Sequence, residues 1–206
     1  MSRGICIAVE GGDGAGKDTQ VERIGEMLGD RAVVTRVPGG TPLGDQVRQI
    51  AVHESLGPIS IPAEMFLFLA DRAEQYEKVI RPALAAGKVV VSNRSWLSLI
   101  AYQVYARERY EWREFIDFFV SKLYGDMPLD LVIFLDLPPE EGLKRLHAKK
   151  SSLDSIESMP LEAHKRVHAG FLDALKHTPN AITIDASRSI EEVWKDVEKA
   201  VASVVT

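Results

Sequence analysis

Five short apolar runs recur along the chain, separated by segments with helical periodicity. The runs cover residues 5–9, 32–37, 88–92, 131–135 and 181–184. They are rich in Val, Ile or Leu without strict polar alternation, which is typical of strands buried on both faces. Helical periodicity is clear over residues 20–28, 63–85, 110–123, 139–149 and 190–204. This alternation predicts an α/β fold with a five-stranded parallel sheet and helices on both of its faces.

Length and charge narrow the class further. The chain has 206 residues, 46% of them hydrophobic, which is enough for a buried core and excludes disorder as the main state. Its 25 basic and 30 acidic residues give a net charge of −5, so it lacks the basic surface expected of a nucleic-acid partner. No repeat or linker divides the sequence. We expect one domain over residues 1–206 that does not bind nucleic acid.

The single cysteine, Cys6, excludes a disulfide-stapled scaffold and is expected to be buried within an apolar run. That run is too short for a secretion signal, and no segment approaches the ~20 apolar residues of a membrane span. A cytoplasmic protein without a membrane partner is therefore predicted.

A glycine-rich segment follows the first apolar run and leads into the first helix. Four residues separate Gly11 from Gly16, and Lys17 follows, which is the G-x-x-x-x-G-K motif of phosphate-binding loops. In such loops backbone N–H groups surround phosphate oxygens, and the lysine reaches the β- and γ-phosphates. The predicted nucleotide-binding residues are Gly11, Gly12, Asp13, Gly14, Ala15, Gly16, Lys17, Asp18 and Thr19.

The residue after the motif's lysine is normally Ser or Thr, whose hydroxyl ligates Mg²⁺, but here it is Asp18. A carboxylate is a hard oxygen ligand, so we predict Mg²⁺ as a cofactor and Asp18 as its ligand. The alternative is that Asp18 only caps the helix, while Thr19 and the nucleotide hold the metal.

Nearly the whole chain resembles the bacterial-type thymidylate (dTMP) kinases, which are P-loop nucleoside monophosphate kinases. Four motifs carry the resemblance, and they occur in the same order as in that family. They are the phosphate loop with Asp13, residues 35–44 against T-R-E-P-G-G-T, residues 66–73 against L-F-x-A-D-R, and residues 93–103 against D-R-Y…S-x-x-A-Y-Q. The resemblance implies the P-loop kinase fold, strand order 2-3-1-4-5, a small lid at about residues 147–160, and a homodimer.

The resemblance also implies the reaction, which is transfer of a phosphoryl group from Mg·ATP to dTMP to give dTDP and ADP for dTTP synthesis. No covalent enzyme intermediate is expected. Two alternatives stay open: a kinase for another deoxynucleoside monophosphate, and a nucleotide-binding module that has lost catalysis.

Individual roles follow from the matched positions. Phe68 would stack on thymine and Arg72 would hydrogen-bond its edge, whereas Arg48 and Arg94 would hold the monophosphate. Without the resemblance, Phe68 would be interpreted as a core aromatic residue and Arg48 as a solvated charge. The implied substrate-binding residues are Asp13, Arg48, Phe68, Arg72, Arg94, Ser98, Tyr102 and Gln103. The implied catalytic residues are Asp13, Lys17, Arg94, Lys149 and Lys150, because Gly14 leaves the loop without the arginine that some family members have, and a lid lysine would supply that charge.

Several positions depart from the family pattern. Asn93 replaces the aspartate of D-R-Y, Ser95 replaces its tyrosine, Val37 replaces the glutamate of T-R-E-P, and Ser155 replaces a lid arginine. Loss of a carboxylate at Asn93 and gain of one at Asp18 would compensate each other near Mg²⁺. The alternative is a divergent member with weak activity or another acceptor.

Overall fold

A computed structural model describes residues 3–125, 129–149 and 152–205. Its strands form one parallel sheet in the order β2-β3-β1-β4-β5. The strands are β1 (Ile5–Gly11), β2 (Ala32–Arg36), β3 (Val89–Asn93), β4 (Leu131–Asp136) and β5 (Ala181–Asp185). The predicted five-stranded parallel sheet and its strand order are therefore confirmed.

Helices connect the strands. They are α1 (Lys17–Leu28), α2 (Pro42–Ala51), α3 (Ile61–Gln75), α4 (Arg81–Ala85), α5 (Leu97–Leu99), α6 (Arg113–Tyr124), α7 (Pro139–Lys149), α8 (Leu161–Leu175) and α9 (Ile190–Ala202). A π-helical segment, Tyr76–Ile80, joins α3 to α4, and another, Ile100–Ala106, continues α5. Single 3₁₀ turns lie at Gly29–Arg31 and Tyr110–Trp112.

Both faces of the sheet are buried, as the apolar runs predicted. Along β1, Cys6 and Ala8 face one core while Ile7 and Val9 face the other, and all four are at most 2% exposed. Helices α1 and α9 cover the second face, and the remaining core helices, apart from α7, cover the first. Successive side chains of a strand point to opposite faces of the sheet. Because both faces are buried here, apolar residues occupy successive positions and the strands lack polar alternation.

Helix α8, which follows the predicted lid, is not among the segments with clear helical periodicity, and the structure explains why. Its apolar periodicity is interrupted by two histidines and by Gly170. A Cβ atom at Gly170 would lie 2.8 Å from the Cα of Ala101, so the glycine permits α8 to pack closely against the segment that follows α5. Helix α2 begins within the motif at residues 35–44 and is also not among the segments with clear periodicity.

Candidate active site

A cavity of about 600 Å³ is lined by residues at the carboxyl ends of β1, β2, β3 and β5, which is the position expected for a ligand in an open parallel sheet. Most of the predicted site residues line it: Asp13, Gly14, Ala15, Gly16, Lys17, Asp18, Thr19, Arg48, Phe68, Arg72, Arg94, Ser98, Tyr102, Gln103 and Lys149. Gly11 and Gly12 do not line it, but their carbonyl oxygens accept hydrogen bonds from Arg94 and Lys17. Lys150 lies outside the described residues.

The glycine-rich loop owes its path to positive φ angles. Gly14 has φ of 80°, and a Cβ atom there would lie 2.3 Å from the carbonyl oxygen of Gly142. Gly16 has φ of 89° and immediately precedes α1, so the loop turns directly into a helix N-terminus. Residues other than glycine rarely adopt this backbone conformation. The helix N-terminus supplies positive potential to an anion in the loop.

Lys17 is the first residue of α1 and is only 8% exposed. Its Nζ donates to the carbonyl oxygen of Gly12 at 2.7 Å. Burial, reinforced by the nearby charge of Arg94, lowers the pKa of Lys17 to about 8. A phosphate group in the loop would raise the pKa of Lys17 again, because an adjacent anion favours the charged ammonium.

Arg94, Asp13 and Tyr102 form a hydrogen-bonded triangle at the centre of the cavity. Arg94 Nη2 donates to Asp13 Oδ1 at 2.6 Å and to the Tyr102 hydroxyl at 3.0 Å, and that hydroxyl donates to Asp13 Oδ2 at 2.8 Å. Burial opposes ionisation of Asp13, but Arg94 and then Lys17 hold its pKa below the usual value. The triangle fixes a carboxylate and a guanidinium next to each other in the lining of the cavity.

The backbone of Arg94 is left-handed, with φ of 77°. This conformation costs a non-glycine residue about 1 to 2 kcal/mol and persists where surrounding contacts impose it. Here the Arg94 amide donates to Val9 at 3.0 Å, and its side chain is held by the triangle and by Gly11. These contacts hold the Arg94 guanidinium in the lining of the cavity.

Glu10 positions the segment after Arg94, a role that the sequence reasoning missed. Its side chain is fully buried and accepts hydrogen bonds from the Ser95 amide, the Ser95 hydroxyl and the Ser98 hydroxyl at 2.6–2.7 Å. An acidic residue at the end of a buried strand, just before the glycine loop, was the available signal. Ser95, which replaces the family's tyrosine, thus gains a defined partner.

The part of the cavity around Phe68 combines an aromatic face with polar edges. We call it the acceptor end, because the resemblance implies that the nucleotide that accepts the phosphoryl group binds there. Phe68 is 5% exposed, so it belongs to the core and also contributes to the wall of the cavity. Arg72 donates to the carbonyl oxygens of Phe68 and Ser95, while its Nε is buried without a hydrogen-bond partner. A flat apolar face beside a fixed donor is suited to a nucleobase.

Arg48 lies on α2 and reaches the cavity beside a turn at residues 37–40. Its Nη1 donates to the carbonyl oxygen of Pro38 at 3.4 Å. The turn is held from α3 by Asp71, whose Oδ1 accepts from the Gly39 amide at 3.0 Å and whose Oδ2 is buried without a partner. Burial raises the pKa of Asp71 to about 6.

Asp18 lies at the mouth of the cavity, exposed, and Asn93 Nδ2 donates to its Oδ1 at 2.6 Å. The described residues contain no cluster of three or more His, Cys, Asp or Glu side chains that could hold a metal. Mg²⁺ commonly takes one or two protein oxygens together with substrate phosphates. One oriented carboxylate beside a phosphate loop fits that requirement.

The part of the cavity lined by α7 and the connection after β5 was not predicted from the sequence. We call it the donor end, for the nucleotide that donates the phosphoryl group. Arg145 on α7 donates to the carbonyl oxygens of Ala186 and Ser187, at 2.9 and 3.3 Å, and so ties α7 to the connection after β5. Ile190, at the start of α9, leaves 57% of its surface exposed beside it. The rule that ligands bind at the carboxyl ends of parallel strands was the signal that pointed to this connection.

The segment expected to form the lid contributes Lys149, Asp154, Ile156 and Glu157 to the cavity wall. Asp154 Oδ1 accepts from the amides of Ile156 and Glu157. Ser155, which replaces the family's arginine, donates from its hydroxyl to the carbonyl oxygen of Val52 at 2.8 Å. The segment is therefore attached to the end of α2.

Comparison with known proteins assigns the family. The model for thymidylate kinases matches residues 9–197. The chain belongs to the thymidylate kinase family. It is 38% identical to a thymidylate kinase of Protochlamydia amoebophila over 95% of this chain and 96% of that protein, and 39% identical to one of Nitratidesulfovibrio vulgaris over 98% of each. A Symbiobacterium thermophilum thymidylate kinase is 37% identical over 98% of this chain and 94% of that protein.

Membership confirms the predicted fold class and the predicted enzyme, a phosphotransferase of this family. Within the described residues, no helix is long and apolar enough to cross a membrane.

Proposed function

We propose that this cavity transfers the γ-phosphoryl group of ATP to dTMP, giving ADP and dTDP for dTTP synthesis. The observation that carries the proposal is the Arg94–Asp13–Tyr102 triangle, which ties the phosphate loop, through Asp13, to the segment after β3 in a cavity that Phe68 also lines. A cation and an oriented carboxylate at that junction suit the meeting point of two phosphate groups. A cytoplasmic location accords with ATP as donor.

ATP occupies the donor end. The loop amides and Lys17 hold its β- and γ-phosphates, and the helix N-terminus adds positive potential. The adenosine lies toward Arg145 and Ile190, where an arginine plane and an apolar side chain offer contacts to a flat base. Lys149, or Lys150 after it, supplies a positive charge to the transferred phosphoryl group. The lid has to supply this charge because the phosphate loop contains no arginine.

The nucleotide dTMP occupies the acceptor end. Arg94 and Arg48 bind its monophosphate. Asp13, Ser98 and Tyr102 position the nucleotide near its sugar and phosphate. Phe68 stacks on thymine, and Arg72 and Gln103 contact its edge. The transfer is direct, because positioning and charge stabilisation suffice for phosphoryl transfer.

Mg²⁺ would be held by Asp18, directly or through one water, together with the ATP phosphates. When bound, the ion neutralises phosphate charge. Asn93 orients the carboxylate through its hydrogen bond to Oδ1 and leaves Oδ2 for the ion. The carboxylate that is missing at Asn93 is thereby replaced from α1.

The protein forms a homodimer in this proposal. An aromatic patch, Phe66 on α3 with Phe115 and Phe118 on α6, is exposed by 57, 42 and 59%. The Phe66 and Phe115 rings are in contact, with centroids 6.1 Å apart. An exposed cluster of this kind is typical of an interface, and a second copy of the chain is the occupant that the family resemblance implies.

A coupled assay of ADP release over all natural nucleoside monophosphates tests the reaction. We expect dTMP to have the highest kcat/KM. A higher value for another deoxynucleoside monophosphate would favour the alternative acceptor. Binding of dTMP without turnover under excess Mg²⁺ or Mn²⁺ would favour a module that has lost catalysis.

A further inference from the structure

Gln103 lies in the wall of the cavity with its side-chain amide tied to a buried carboxylate. It is 2% exposed, and its Nε2 donates to Glu64 Oε1 at 3.3 Å. Glu64, in the first turn of α3, is 5% exposed. The amide carries its NH₂ and its carbonyl oxygen on opposite sides, so the group that faces Glu64 determines which group faces the cavity.

Arg107 determines what Glu64 can accept. Its Nε donates to Glu64 Oε1 at 3.0 Å and its Nη2 to Oε2 at 2.5 Å. A guanidinium has donors only, so this two-point contact engages both carboxyl oxygens of Glu64 as hydrogen-bond acceptors. A Gln103 carbonyl turned toward Glu64 would place two buried acceptors against each other. The NH₂ group is therefore held at Glu64, and the carbonyl oxygen is left for a ligand.

We propose that Glu64 is a positioning residue for base selection, because it keeps the acceptor of Gln103 directed at the nucleobase. The inference rests on the proposed function, which places a pyrimidine against Phe68, Arg72 and Gln103. Thymine and uracil present an N3–H donor beside a carbonyl acceptor, whereas cytosine presents an N3 acceptor beside an amine donor. An acceptor from Gln103 and a donor from Arg72 match the first pattern and oppose the second.

The substrates dUMP and dCMP isolate this effect, because both lack the thymine methyl group and they differ at the N3–C4 edge. Glu64→Gln places an amide opposite the Gln103 amide, so either orientation becomes acceptable. We expect the ratio of kcat/KM for dUMP over dCMP to fall about tenfold, since an orientation that was imposed becomes a free choice. The KM for ATP and the kcat at saturating dTMP should stay within about twofold.

A reciprocal exchange provides the rescue. In the double variant Glu64→Gln with Gln103→Glu, the carboxylate stands at position 103 and accepts from the amide at position 64. The amide carbonyl at position 64 then accepts from Arg107. A carboxylate still presents an acceptor to the base, so the ratio should return to within about threefold of wild type. Failure of the double variant to exceed Glu64→Gln would overturn the proposal.

Two further variants separate the possible failures. If Gln103→Leu leaves both the KM for dTMP and the ratio unchanged, the proposed base site itself is wrong. If Gln103→Leu lowers the ratio and Glu64→Gln does not, the base site stands and the role of Glu64 is refuted. Asp173→Asn breaks a part-buried ion pair with Arg113 between α6 and α8 and should keep the ratio. An equal fall in Asp173→Asn would assign the effect to general destabilisation and overturn the proposal.

Discussion

The Lys17 ammonium lies inside the cavity at a cost to the empty protein. Burial lowers its pKa to about 8, which means that the folded chain disfavours its charge until an anion arrives. Lys17→Ala should therefore lower kcat/KM at least about a thousandfold, since it removes a charge directed at the transferred phosphate. Its melting temperature at pH 7 should not fall. Lys144→Ala, at an 80% exposed side chain on α7, is the control and should stay active. Retention of a tenth of the activity by Lys17→Ala would contradict this role.

The second prediction at this scale concerns the metal. Asp18→Ser removes the oriented carboxylate, so we expect activity to fall about tenfold or more and calorimetry to show weaker binding of Mg·ADP. Asp18→Ser with Asn93→Asp moves the carboxylate from α1 to the end of β3 and should recover both. Unchanged activity and Mg²⁺ dependence in the single variant would leave Asp18 only as an acidic residue in the first turn of α1, where no side chain caps the helix.

Spacing along the chain predicted the residues that we propose to bind phosphate, but not the residues that hold them in place. Gly11, Gly16 and Lys17 are neighbours in sequence, so their pattern is visible before folding. Glu10 acts on Ser95 across 85 positions, and Glu64 acts on Gln103 across 39. Such roles depend on tertiary contacts, which no local pattern records.

Among the elements, α7 brings a cation to the cavity. Lys149 is exposed at its end and lies in the cavity wall. Lys149→Ala should reduce kcat by about ten- to a hundredfold while the KM for dTMP changes little, because a charge on the moving phosphoryl group acts in the transition state. Lys150→Ala is measured in parallel, because it tests the alternative that the next lysine supplies this charge. If both variants keep full kcat, the lid supplies no catalytic charge.

The contact between α3 and the turn at residues 37–40 makes stability depend on pH. Burial raises the pKa of Asp71 to about 6 from an ordinary 3.8, so the folded chain binds a proton that the unfolded chain has released. The stabilising effect is present below pH 3.8 and is lost as pH rises to about 6. Urea denaturation at pH 8 should therefore give Asp71→Asn a free energy of unfolding about 3 kcal/mol higher than that of wild type, and the difference should nearly vanish at pH 4. A difference that is independent of pH would contradict this.

At the same scale, strands were predicted better than helices. A buried strand needs only a short apolar run, and all five runs became strands. Helix α8 instead buries Gly170 against Ala101, where the absence of a side chain creates the contact. The capping box that Ser189 forms with Glu192 at the start of α9 is, in contrast, a local pattern of residues three positions apart.

At the scale of the whole molecule, strand order places the site. Because β1 is central, its carboxyl end meets those of β3 and β4, and the phosphate loop, Arg94 and the lid converge although they are far apart in sequence. The same topology places α3 and α6 on one side of the sheet and α1 on the other. The aromatic patch thus lies on the face opposite α1.

That arrangement gives the dimer a test. Phe118→Glu puts a charge into the patch formed by Phe66, Phe115 and Phe118, and an aromatic residue at the centre of an interface typically contributes about 2 kcal/mol or more. The dissociation constant measured by sedimentation equilibrium should therefore rise at least about thirtyfold. Met27→Glu, at a 38% exposed side chain on α1, lies on the other side of the sheet and should remain dimeric. A monomeric wild type at micromolar concentration, or equal dissociation of Met27→Glu, would refute this interface.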